Sequence, residues 1–250
     1  MNPSLTDLSP DFQLSKRPTA SDALPVSKTG SFMEVVSYLA GCRYQHIPPG
    51  VCYVLAHFMR GYCASLPTAE RQWLLAMTPH WLATYHPGTV VQRTRLLVEL
   101  AVCEAAPLAL ERLMLPEHAH ALRQLRDLDY ERPMREPVIA AAKAADALPL
   151  TGLRKLQRAA DVALVAHANN CSASAMAFMP HYAAYEAGIV VASLPQQRVL
   201  DTLVEAFDCP PTGEPQQLME YTKDGFTFYA LELSPGPEPM PMPLEMDDSF

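Results

Sequence analysis

The sequence predicts an all-α fold, an irregular multi-helix bundle that carries a C-terminal β-hairpin and has disordered termini. Three observations lead there. Alanine, leucine and valine are plentiful while aromatic residues make up 8% of the chain, which suits closely packed helices better than an aromatic-rich sandwich. Apolar residues recur at helical spacing over most of 31–208, and helix-starting residues precede nearly every such segment. At 250 residues and 49% hydrophobic, the chain is long enough for one substantial core. Four divisions follow: a disordered segment 1–29, a helical domain 30–209, a hairpin 210–234 appended to it, and a proline-rich acidic disordered tail 235–250.

Residues 1–29 are rich in Ser, Thr, Pro and Asp without an apolar period, so they lack the burial needed to offset ordering entropy. Ser31 and Glu34 form a capping box that starts a helix running to about Tyr44. Pro48-Pro49-Gly50 breaks the chain. The run Val51–Leu66 is apolar on nearly every face, as in a helix at the centre of a bundle. Pro67-Thr68 opens a helix through Met77, and Thr78-Pro79 opens a short one through Tyr85, with proline where no donor is lost. Thr89 and Gln92 repeat the capping-box pattern ahead of Leu96, Leu97, Leu100 and Cys103. Further helices are expected over Leu108–Leu115, Glu117–Tyr130, Val138–Leu148, Leu153–Ala168, Ser172–Ser193 and Gln196–Phe207. No period between 30 and 45 residues points to a solenoid. Leu218–Thr222 and Phe226–Leu233 flank Lys223-Asp224-Gly225, a strong hairpin signal. From Ser234 onward, proline alternates with other residues as in a stiff extended linker.

The net charge of −8 is unevenly placed. Residues 201–250 hold eleven acids against Lys223 alone, a net of −10, so residues 1–200 carry +2. The ten glycines are never closer than nine residues, which excludes GxGxxG and P-loop phosphate cradles, and neither GxSxG nor HExxH occurs. No cofactor is therefore expected. The six cysteines form no CxxC pair and no secretory leader is visible, so the reading is free thiols in the cytoplasm; the Ser/Pro-rich N-terminus is also compatible with an uncleaved export signal. Arginine outnumbers lysine 14 to 5, which together with abundant Ala and Pro suggests a GC-rich bacterial genome. The most apolar run, Ser172–Leu194, is interrupted by Pro180, His181 and Glu186 and reads as a buried helix rather than a membrane span.

Two local patterns carry possible chemistry. Glu117 and His120 form one Glu-x-x-His, the spacing that lets two side chains of a bundle helix reach one metal. The chemistry normally needs a second such pair, and none exists, so Glu117 after Pro116 reads as a favourable charge at a helix start. Cys171 precedes an expected helix start, with His167 four residues earlier and His181 further along, the raw material of a Cys-His nucleophile. The favoured reading there is an ordinary interhelical turn. His57, His80 and His86, like Cys52 and Cys63, read as structural. Arg154, Lys155 and Arg158, with Arg123, Arg126, Arg132 and Arg135, could contact phosphates, but Asp127, Asp129, Glu131, Glu136 and Asp161 interrupt any basic patch. Direct nucleic-acid binding is not expected.

The stretch Leu244-Glu245-Met246-Asp247-Asp248-Ser249-Phe250 is the most distinctive. It resembles the C-terminal tip of bacterial single-stranded DNA-binding proteins, in which an acidic run and a final Pro-Phe dock into a basic-rimmed apolar pocket on partner proteins. The resemblance implies Phe250 as anchor, its carboxylate as a ligand for a basic residue, Asp247 and Asp248 as steering charges, and Met246 beside them. It spans seven residues, departs from that family at Ser249, and does not extend to the body, which is helical here and a β-barrel there. The sequence thus reads as a non-catalytic helical interaction or adaptor protein with protein partners. A small enzyme at Cys171 and a metal protein at Glu117 and His120 stand behind that reading. Oligomeric state is not legible.

Overall fold

Ser31 starts the first long helix as its spacing from Glu34 predicts: the Glu34 amide donates to Ser31 Oγ at 3.3 Å, and the Ser31 amide donates to Glu34 Oε2 at 2.6 Å. The computed structural model describes residues 3–16, 24, 27–42, 47–48, 50–126, 135–149, 152–171 and 180–210, together with the backbone of 218–223 and 226–231. Among these the fold is mostly helical. Helix α1 (Phe32–Leu39) ends earlier than expected, where Gly41 takes a φ of +68° and supplies the left-handed turn a side chain resists.

Helix α2 (Tyr53–Ser65) buries residues around most of its circumference, among them Leu55, Phe58, Met59 and Tyr62. A short helix α3 (Thr68–Arg71) passes directly into a 3-10 helix, Gln72–Trp81, so one continuous run replaces the two helices expected to meet at Thr78. Pro79 has no N–H to give the carbonyl three residues back in a 3-10 helix, that of Ala76. Thr78 Oγ1 donates to the Leu75 carbonyl at 2.7 Å, and the chain stays helical across the proline.

Helix α4 (Val90–Glu99) does not use the expected box: Thr89 makes no side-chain cap, and its hydroxyl donates to the His86 carbonyl at 2.8 Å. A π-helical turn, Leu100–Ala105, joins α4 to α5 (Ala106–Arg112) without a break. Pro107 accounts for the widening. In a regular helix its ring would collide with the Cys103 carbonyl, and the looser turn gives it room.

The remaining helices are α6 (Pro116–Arg123), α7 (Arg135–Asp146), α8 (Arg154–Asn170), α9 (Pro180–Val191) and α10 (Gln196–Phe207). The extensions expected over 127–130 and 172–179 lie outside the described residues. The tightest packing joins α2 to α9. A Cβ on Gly61 would lie 2.1 Å from the Tyr185 carbonyl oxygen, and one on Gly188 would lie 2.1 Å from that of Phe58, so each glycine admits the partner backbone where any side chain would collide. Helix α9 also packs on α4 and α8, and α8 on α5 and α7. Buried Trp81 closes one end of the core, edge-on to Phe32 at 5.2 Å and to Phe207 at 5.4 Å.

The expected disorder of 1–29 does not hold for its described part. Strand β1 (Gln13–Ser15) pairs in parallel with β2 (Thr29–Ser31), Leu14 opposite Gly30, and Leu8, Phe12 and Leu14 are buried in the core. Two side chains from the following helical run latch this segment. Gln72 Oε1 accepts from the Leu14 amide at 2.9 Å while its Nε2 donates to the Phe12 carbonyl, and buried Arg71 donates to the Leu14 carbonyl at 3.0 Å. Three apolar residues and two such anchors supply the burial and partners that composition alone did not reveal.

Strands β3 (Leu218–Lys223) and β4 (Phe226–Leu231) pair antiparallel in backbone, Lys223 opposite Phe226. The Asp224-Gly225 turn, residues 232–234 and the tail 235–250 lie outside the described residues. No helix among the described residues is long and apolar enough to cross a membrane.

Candidate functional site

The three residues of the Cys-His pattern lie at the end of α8 and the start of α9, and the contacts described for each are with other groups. His167, in the last turn of α8, directs Nδ1 at Glu186 Oε2 of α9. Glu186 had only interrupted an apolar run in the sequence; its side chain is 7% exposed, and its partner is this imidazole. Tyr182 stands one turn before Glu186, and burial first and that nearby carboxylate second raise its pKa. Cys171 is fully buried and its thiol points at the Ala183 carbonyl, 3.5 Å away. Burial first, and the nearby charge of Glu186 second, push that thiol well above its ordinary pKa, so the neutral form is held and the thiolate disfavoured.

His181 stands at the start of α9, where its ring lies 5.2 Å from that of His57 on α2. Burial lowers its pKa, and Nδ1 is buried with no hydrogen-bond partner among the described residues. His80 stacks instead on Phe207 at 6.5 Å, and His86 is exposed. Glu117 and His120 both lie exposed on α6, and no group of three potential metal ligands occurs among the described residues. Cys52 and Cys63 are buried small residues, as expected. Cys42 alone of the six cysteines escapes full burial, so an alkylating reagent at neutral pH is expected to label Cys42 first and the other five only on unfolding. Mass mapping of the adducts checks this, and early label at Cys171 would reopen the nucleophile.

A second charged cluster escaped the sequence reading because its members are far apart in the chain. Glu104, on the π-helical turn, accepts from Arg198 of α10 at 2.7 and 2.8 Å and from Arg126 after α6. These bonds, that of Arg198 foremost, lower the Glu104 pKa. The group borders a cleft of about 300 Å³. Both carboxylate oxygens are committed to guanidinium groups, so the cluster fastens three elements together. Of the other arginines read as a phosphate-contacting group, Arg123 pairs with Glu111 at 2.6 Å. Arg132 lies outside the described residues and Arg135 is described in backbone only.

The outer face of α8 differs from all of these. Its single acid, Asp161, is turned inward, 4% exposed and 3.7 Å from Arg112, whereas Leu153 just before the helix is 96% exposed and Leu156 is 80% exposed. Beyond Arg158 the exposed positions of α8 are Ala159, Ala160, Ala163, Ala166 and Asn170, without a charge among them. A solvated helix face is normally charged or polar. Leu153, Leu156, Ala160, Ala163 and His167 recur at alternating spacings of three and four, which aligns them along one seam. Arg154 and Lys155 flank its start, exposed and in no ion pair among the described residues. The inversion was readable as an apolar period whose outward leucines look like core, but only the packing tells which side is covered.

The tail candidates Met246, Asp247, Asp248 and Phe250 lie outside the described residues. No protein-family model, curated protein or solved structure matches this chain.

Proposed function

We propose that this chain is a non-catalytic helical interaction module, an adaptor whose α8 outer face receives an acidic, apolar-patterned segment of a partner protein. The observation that carries this reading is the exposed Leu153–Leu156 pair continuing into an alanine seam. Leucines that gain nothing in water gain about 1.5–3 kcal/mol each when a partner covers them. Small residues beyond them let a second backbone approach closely. Charge selects the partner: Arg154, Lys155 and Arg158 lie at one end of the face and no acid of α8 is exposed, so a segment with carboxylates beside its apolar anchors is attracted and oriented. The acidic tail with Met246, Asp247, Asp248 and Phe250 is the second handle of the adaptor, through which it reaches another protein.

A fluorescent amphipathic peptide with leucines at heptad spacing and flanking glutamates is the direct probe, read by anisotropy. The full-length protein is expected to bind it, less tightly as salt rises. Leu153→Ser with Leu156→Ser should weaken binding by about tenfold or more, since loss of one leucine's burial already exceeds the roughly 1.4 kcal/mol that a tenfold change represents. The fold should be unaffected, as both side chains are exposed. Equal binding by the variant overturns the assignment.

A further inference from the structure

We infer that the chain's own acidic segment, Leu244–Phe250, occupies the α8 outer face in the isolated protein and competes there with outside partners. The inference rests on reading that face as a docking surface and names its resident occupant. Met246 and Phe250 are four residues apart, so one helical turn would place them on the same side, matching the paired Leu153 and Leu156. Glu245, Asp247 and Asp248 sit between and beside these anchors, and the basic groups at the start of α8 are Arg154, Lys155 and Arg158. Three acids thus meet three bases, on a chain whose residues 201–250 carry −10 and whose remainder carries +2.

The nine residues 235–243 extend roughly 28 Å at about 3.1 Å per residue in a proline-rich stretch, and residues 211–217 and 232–234 add ten more positions to the tether. Tethering makes even a weak contact effective, because a short linker holds the segment at an effective concentration of roughly millimolar. An outside ligand of the α8 face then binds only as fast and as tightly as the tail yields, and a partner that captures Phe250 opens the face to a second ligand. The two handles of the adaptor become coupled.

The test uses the full chain with a benzophenone amino acid in place of Phe250. After irradiation, cross-links within the monomer are expected on residues 153–163, falling severalfold in the Leu153→Ser, Leu156→Ser background and in about 1 M salt. In parallel, Phe250→Ala should raise the affinity for the acidic amphipathic peptide at least fivefold. Cross-links elsewhere, or only between two chains, overturn the inference. If the peptide still binds the α8 face but Phe250→Ala leaves its affinity unchanged, the tail is not the occupant while the docking surface stands. If the peptide does not bind at all, both fall together.

Discussion

Gly188→Ala is expected to lower the stability of the fold by about 3 kcal/mol, near the upper end of overpacking effects. The added Cβ would sit 2.1 Å from the Phe58 carbonyl oxygen and 2.8 Å from the Tyr62 amide nitrogen. Both are backbone atoms, so no side chain can rotate away. Helices α2 and α9 must separate, and α9 carries with it the contacts to α4 and α8. Gly61→Ala should do the same against the Tyr185 carbonyl. For a chain of this size the loss corresponds to roughly 6–12 °C in melting temperature, measurable by circular dichroism at 222 nm. By contrast, Gly41→Ala and Gly50→Ala meet no atoms within 4 Å and strain only φ, so a smaller effect there separates steric closeness from backbone conformation.

Arg93→Met is the second large effect, about 3 kcal/mol. Arg93 is 3% exposed. Its guanidinium donates from Nε to the Ala206 carbonyl at 2.8 Å, from Nη1 to that of Thr84 at 2.5 Å, and from Nη2 to that of Phe207 at 3.4 Å. The carbonyls of Ala206 and Phe207 are orphan acceptors at the end of α10, so the side chain ties that end to the turn before α4. Methionine fills similar volume and leaves all three acceptors without their charged donor, and each unsatisfied buried group costs about 1–3 kcal/mol. Arg93→Lys should recover only part of the loss, because a single ammonium cannot match the fork. Urea denaturation is the measurement, with an unchanged slope and a lower midpoint.

How much was legible in the sequence depended on whether the cause was local. The Ser31–Glu34 box is a contact over three residues, and α10 was predicted to its observed bounds because Val199, Thr202, Leu203 and Ala206 fall on one buried stripe between Pro195 and Asp208. The order of residues 3–16 was not legible, since it depends on Arg71 and Gln72 some sixty positions away. The Thr89–Gln92 pattern misled because Thr89 closes a 3-10 turn with φ −103° and ψ −5°, not the extended backbone from which a capping hydroxyl accepts the amide three residues on. The π-helical turn has a local cause in Pro107, yet a proline inside an apolar run reads first as a break.

The candidate sites divide in the same way. His167 lies in the last turn of α8, Cys171 caps that helix and His181 stands at the start of α9. Their roles were set by Glu186, which claims the imidazole, and by burial, which holds the thiol neutral. Glu186 carried a signal that went unused: an acid inside an apolar helix needs a partner. The Glu104 cluster joins residues up to 94 positions apart and left no local trace. The α8 face was hidden by its own regularity, since Leu153, Leu156, Val162 and Val165 all suit a core and only packing shows which of them are covered.

Site-directed photo-cross-linking reads the occupancy of the α8 outer face. A benzophenone amino acid is placed at Leu156 and, in a separate protein, at exposed Glu117 of α6, each in the full chain and in the Phe250→Ala background. Each is irradiated with the fluorescent acidic amphipathic peptide. A salt-sensitive adduct is expected from position 156, several times stronger than from position 117, and stronger still without Phe250. Equal yields from the two positions, or none from 156 in either background, would contradict it.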